Sequence, residues 1–125
     1  FERTVAYLKE RKQFGVAIGS FQALKHRAAN MFCEIELSKS CVLEALTALD
    51  EDRDATEVAK LASLAKAKVG ETYGLVSREG IQMHGGIGMT DEFDIGFFIK
   101  RARIAQMLFG DHRYHLNRYA ELSGY

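Results

Sequence analysis

Not one of the 125 residues is a proline. A proline inside a helix removes a hydrogen bond and clashes with the preceding turn, so a chain without any can run long, unbroken helices. The apolar residues recur at helical spacing almost throughout. Phe1 to about Arg11 reads as helix, and Gln13 to Gly19, holding Gly15 and Gly19, reads as a connector. Ser20 is a candidate N-cap for a long helix with the seam Phe21, Leu24, Ala28, Met31, Ile35, Val42, Leu46 and Leu49. Asp50-Glu51-Asp52-Arg53 is a polar turn. Asp54 and Glu57 have the spacing of a capping box, with Asp in the usual place of Ser or Thr. The helix that follows carries Val58, Ala62, Ala65, Val69, Tyr73 and Val76 on one face, and Leu61, Leu64 and Leu75 beside it. Two apolar faces suit a central helix with neighbours on both sides.

Gly85, Gly86 and Gly88 interrupt the pattern. Thr90 or Asp91 is expected to cap a third helix with Ile95, Phe98, Ala102 and Ala105. Gly110 interrupts again, and Asp111 should cap a short last helix bearing Leu116, Tyr119 and Ala120. No segment alternates with period two for long enough to make a strand. The predicted fold is all-α, an up-and-down four-helix bundle.

Composition excludes several functions. With 17 Lys+Arg against 17 Asp+Glu, there is no basic excess to hold nucleic acid or an anionic membrane surface. No apolar run reaches the roughly 18 residues of a membrane span. Cys33 and Cys41, eight apart on a predicted helix, are separated by about 12 Å of rise, too far for a disulfide; buried thiols are expected. The chain opens on Phe1-Glu2-Arg3, without methionine and directly in helical pattern, so a fragment of a longer protein is expected.

Metal and nucleophile chemistry find little support. His26, His84, His112 and His115 are the only imidazoles, and no Glu-x-x-His pair of the kind bundle di-iron sites use is present. The two cysteines lie mid-helix without a nearby His. Two other stretches carry more. Gln82-Met83-His84-Gly85-Gly86-Ile87-Gly88 ends a long helix with three glycines in four positions. One glycine serves a helix C-cap; three point to a close approach by backbone or ligand. The stretch follows no strand, so it is not a Rossmann fingerprint. Arg11-Lys12-Gln13-Phe14-Gly15, with Phe21-Gln22 beyond it, offers a guanidinium and an amide suited to phosphate oxygens.

These two stretches, in this order and separation, resemble the C-terminal helical domain of the acyl-CoA dehydrogenase family. Lys100-Arg101-Ala102-Arg103 is similar to the family segment that leads into its catalytic turn, and the likeness runs from Tyr7 to Tyr119. The resemblance implies that residues 1–125 are the C-terminal bundle of a longer protein with an N-terminal helical domain and a middle β-domain. It implies FAD as cofactor and oxidation of acyl-CoA thioesters to 2-enoyl-CoA. Implied partners are other subunits, in a homotetramer or heterotetramer, and electron-transfer flavoprotein; the implied location is the bacterial cytoplasm, or the mitochondrial matrix in a eukaryote. Arg11, Lys12, Gln13, Phe21 and Gln22 would contact the adenosine-diphosphate part of a neighbouring subunit's FAD, and Gln82, Met83, His84, Gly85 and Gly86 would lie against its phosphates. Phe21 stands where the family commonly has His. Asp111, His112 and Arg113 are carried over as cofactor contacts and Gly110 as a substrate contact.

The same alignment puts Phe109 where many members carry the glutamate that removes the α-proton. A phenyl ring cannot take a proton. Asp111 is a weak substitute, because two residues at a helix start rotate it about 200° away. A base upstream of Phe1 would restore the enzyme. Alternatively, Phe109-Gly110-Asp111 resembles the small subunits of bacterial heteromeric enzymes such as pimeloyl-CoA dehydrogenase, which implies a scaffold subunit without its own base.

Overall fold

One helix organises the chain. In the computed structural model, which describes residues 1–125, α3 runs Ala55–His84, about 45 Å at 1.5 Å per residue. Around it lie α1 (Glu2–Glu10), α2 (Gln22–Asp50), α4 (Ile95–Met107) and α5 (His112–Leu122). Each of α2, α4 and α5 packs chiefly on α3 rather than on the others. The helix read from the sequence as central is the central helix of an all-α bundle, but of its predicted apolar faces only Ala65 is fully buried and Ala62 is exposed.

The faces of α3 that meet its neighbours are built from small residues. Ser63, Ala65, Ala67, Thr72, Gly74, Ser77 and Gly80 are all buried, and short side chains let neighbouring backbones come close. At Gly80 an added Cβ would press on Thr4 of α1 and on Ile95 of α4. A polar seam fixes α2 against α3: Ser38 Oγ donates to Thr72 Oγ1 at 2.9 Å, and Lys68 pairs with Glu34. The tight turn between these helices is tied by Arg53, which pairs with Glu44, Glu51 and Glu57. Those carboxylates, Glu44 foremost, hold the guanidinium above its ordinary range. Where α1, α2 and α3 converge, Leu8, Ile18, Met31 and Met83 form the apolar core.

Several local expectations are corrected. Ser20 does not cap α2: it closes a short 3-10 turn, Ile18–Ser20, by donating to Ala17 O, and Phe21 occupies the N-cap position. The expected connector holds a two-stranded hairpin, β1 (Lys12–Gln13) and β2 (Val16–Ala17), too short for periodicity to reveal. Neither Thr90 nor Asp91 caps α4. Thr90 closes the 3-10 turn Gly85–Met89, and Asp94 holds the α4 N-cap position without capping the backbone, its carboxylate pairing with Arg3 instead. Asp54 does cap α3, accepting from Thr56 N and Glu57 N, but Glu57 turns to Arg53 instead of completing the box. Cys33 is exposed and Cys41 half-buried, not buried thiols.

The largest correction concerns the α2 seam. Met31 is buried, yet Val42, Leu46 and Leu49 are exposed, as are Leu37 and Leu43. Nothing within the chain covers the C-terminal half of α2 on that side, because α4 and α5 sit across α3. On α4, Phe98 is exposed while Ile95 and Ala102 are buried.

These differences set opposite expectations for two apolar residues. Met31→Ala, at 1% exposure, should cost about 2–5 kcal/mol. Leu46→Ala, at 53% exposure, should stay within about 0.5 kcal/mol. Urea unfolding of both variants checks the pair; equal losses would contradict the placement of the core.

Candidate functional site

A groove of about 550 Å³ opens where the α3 C-terminus meets the α1–α2 connection. One rim is the hairpin. Arg11 ends α1, and its carbonyl accepts from Ile18 N, which closes the hairpin base. Phe14 and Gly15 form its two-residue turn, both with positive φ, the geometry of primed hairpin turns. The Phe14 ring stands out and meets Phe21 edge-on at 6.1 Å. Buried Ile18 anchors the hairpin to the core.

The other rim is the end of α3. His84 is buried, stacked on Tyr7 with ring centres 4.3 Å apart. Its Nδ1 lies 2.6 Å from Gly80 O, so Nδ1 carries the proton and donates. Tyr7 Oη donates to His84 O. Gly85 then takes φ +66 to turn the chain, a conformation that side-chain-bearing residues avoid. The close approach inferred from the three glycines is partly internal: a Cβ on Gly88 would sit 2.8 Å from Ile81 O, against α3 itself. Only Gly86 has φ in the ordinary range and open space where a Cβ would go. Its missing side chain keeps the groove wide.

Of the residues expected to act together, Arg11, Gln13, Phe21, Gln82, Met83, His84, Gly85 and Gly86 do line this one groove. Lys12 and Gln22 are exposed beside it. Met83 and His84 have their side chains in the interior, so they shape the groove more than they present groups to it. Arg11 makes no ion pair, which leaves its guanidinium available to an anion. Sequence reasoning missed Tyr7 and Arg27. Arg27 lines the groove and pairs with Glu79 at 2.6 Å; no local pattern announces a partner 52 residues away.

The remaining expected residues lie elsewhere. Phe109, Gly110, Asp111, His112 and Arg113 form the turn between α4 and α5. His112 Nδ1 reaches Ala67 O and Lys66 reaches Gly110 O. That is 17 residues from His84, about 25 Å along α3. The candidate residues therefore make two sites, not one.

A family model described as acyl-CoA dehydrogenase, C-terminal domain, matches residues 1–123. The chain belongs to the acyl-CoA dehydrogenase family. It is 41% identical over 115 residues to acyl-CoA dehydrogenase IpdE2 of Mycolicibacterium smegmatis, covering 92% of this chain and 34% of that protein. Butyryl-CoA dehydrogenase from Megasphaera elsdenii has the same fold, with a TM-score of 0.91 at 26% identity over 96% of this chain and 30% of that one. The FAD complex of PigA superposes with a TM-score of 0.92 at 24% identity, over 98% and 31% of the two chains. The chain spans about a third of the length of these relatives.

In this acyl-CoA dehydrogenase domain, Phe109 has φ +59 and is 89% exposed. Asp111 Oδ1 accepts from Tyr114 N at 2.9 Å, so its carboxylate is the α5 cap. Phe109 N–H has no hydrogen-bond partner within the chain, while Gly110 N–H closes the turn over Leu108 and Phe109. A free amide on a held turn is the kind of donor that polarises a carbonyl oxygen.

The glycine geometry separates fold from site. Gly88→Ala should destabilise by about 1–3 kcal/mol, since it drives a Cβ into α3 backbone. Gly86→Ala should leave the melting temperature nearly unchanged while narrowing the groove. Thermal unfolding of the two variants checks the distinction.

Proposed function

We propose that this domain is the flavin-contacting and oligomer-forming C-terminal part of a longer enzyme that oxidises acyl-CoA thioesters at their α,β-carbons. The observation that carries the reading is the groove: two family motifs, separated by some seventy positions, meet on its opposite rims. Its chemistry fits an FAD pyrophosphate. Arg11 supplies an unpaired guanidinium, Gln13 and Gln82 supply amides, and Gly86 leaves space for close approach. Bound FAD would supply the hydride acceptor.

Because the two sites lie about 25 Å apart along α3, they serve different ligands. The groove reaches the adenosine-diphosphate portion held mainly by a neighbouring subunit, and the Phe109–Gly110 turn borders an acyl site. Asp111, His112 and Arg113 belong with the second. The exposed apolar half of α2 supports an assembly with other subunits, since contiguous apolar surface marks an interaction site. Electron-transfer flavoprotein as electron acceptor, and a bacterial cytoplasmic or mitochondrial matrix location, rest on the family resemblance.

A second reading is favoured by Phe109. The turn that would present the base presents a phenyl ring, and Asp111 is engaged as a helix cap. This chain would then be the non-catalytic subunit of a heteromeric acyl-CoA dehydrogenase, retaining flavin contact through Arg11.

In the full-length protein, Arg11→Ala should weaken flavin retention by about 1.5–3 kcal/mol, the worth of a charged hydrogen bond. Flavin absorbance after gel filtration reads it, and unchanged occupancy removes Arg11 from the site. Phe109→Glu separates the two readings. In a site that lacks a base, it should create acyl-CoA-dependent bleaching of the flavin. Where a base already stands upstream, a second carboxylate should instead lower activity through like-charge repulsion.

A further inference from the structure

We propose that Lys66 is a positioning residue for the Phe109–Gly110 turn, a role that rests on the reading of that turn as the border of the acyl site. Lys66 projects from the middle of α3 and is half-buried. Its Nζ donates to Ala105 O at 3.1 Å, Gln106 O at 3.4 Å and Gly110 O at 3.0 Å. Three bonds are the whole donor complement of an ammonium, and none goes to a carboxylate.

The first two acceptors are carbonyls in the last turn of α4, which have no partner within their helix. A cation there also offsets the negative end of the helix dipole. An ordinary helix cap would stop at that point. The third acceptor lies beyond the turn, so one ammonium grips the chain on both sides of Phe109.

What it grips is strained. Phe109 has φ +59 and Gly110 φ +103, and a bulky residue in the left-handed region persists only when its surroundings hold it. The surroundings here come from α3 and α5. Besides Lys66, His115 Nε2 donates to Phe109 O at 3.0 Å, and Gln106 Nε2 donates to Gly70 O at 2.8 Å. A Cβ on Gly110 would lie 2.4 Å from the Tyr114 ring, which closes the remaining freedom. The result is a turn whose Phe109 N–H is unpartnered and kept in one geometry. Among these holders Lys66 is the one ammonium, and it makes three of the bonds. It ties the turn to the long central helix, which carries the flavin groove at its far end.

The test uses the full-length, flavin-loaded protein with Lys66→Met, which keeps the aliphatic stem, and Lys66→Arg, which restores charge and donors. Deuterium uptake is followed in the peptide spanning residues 106–115, together with flavin content, melting temperature and the change in flavin spectrum at saturating butyryl-, octanoyl- or palmitoyl-CoA. Lys66→Met should raise uptake in that peptide about threefold. It should also reduce the thioester-induced spectral change to about half or less. Flavin content and melting temperature should hold, and Lys66→Arg should recover much of both effects. Unchanged uptake and spectral response in Lys66→Met overturn the proposal. So does a loss of response that tracks flavin loss and a lower melting temperature in both variants, which marks a merely structural lysine. A wild-type protein whose flavin responds to none of the thioesters overturns the acyl-site reading itself, and is recognised because it needs no substitution to appear.

Discussion

The close packing permitted by small residues along α3 is the constraint on which the remaining structure depends. Short side chains on both flanks of a central helix let its neighbours approach closely and place many atoms in dispersion contact. Ser63, Ala65, Ala67, Thr72, Gly74, Ser77 and Gly80 meet that condition. The consequence is that α2, α4 and α5 take their positions from one 30-residue axis. Placing two turns at fixed points along a rigid rod is a simple way to hold two sites at a set distance.

Those two turns share a local design. Phe14-Gly15 and Phe109-Gly110 each place a phenylalanine at φ above +50° ahead of a positive-φ glycine, and each leaves the ring almost wholly exposed. The first is closed by hairpin pairing and anchored through Ile18. The second is held by Lys66, His115 and the α5 cap at Asp111. An almost wholly exposed aromatic ring on strained backbone gains little within the chain, the Phe14–Phe21 edge contact apart. Both tips fit a role in contact with a cofactor, an acyl chain or another subunit.

The apolar surface points the same way. Leu43, Leu46 and Leu49 on α2 are exposed, as are Ile104 and Met107 on α4 and Leu108 just past its end, while α2 and α4 each pack on α3 by another face. The chain spans about a third of the length of its relatives, and a contiguous apolar stripe is the kind of surface that meets other protein. The family, the helical fold and the oligomer reading are therefore consistent with one another at the level of packing.

The sequence by itself determined the long helices, through the absence of proline and the apolar spacing. It also determined the caps at Asp54 and Asp111, whose bonds reach only two or three residues. The family was legible too, because its motifs are short and contiguous. Everything that depended on a distant partner was decided by the tertiary structure. The seam of α2 is half exposed because α4 and α5 lie across α3, a fact no helical period encodes. Gly88 is internal and Gly86 open because α3 passes one and not the other. The candidate residues divide into two groups because one set sits at the C-terminal end of α3 and the other beside its middle. Lys66, an unremarkable lysine between alanines, acquires its three carbonyls only when α4 folds back along α3, since residues some forty positions apart meet through packing and not through local pattern.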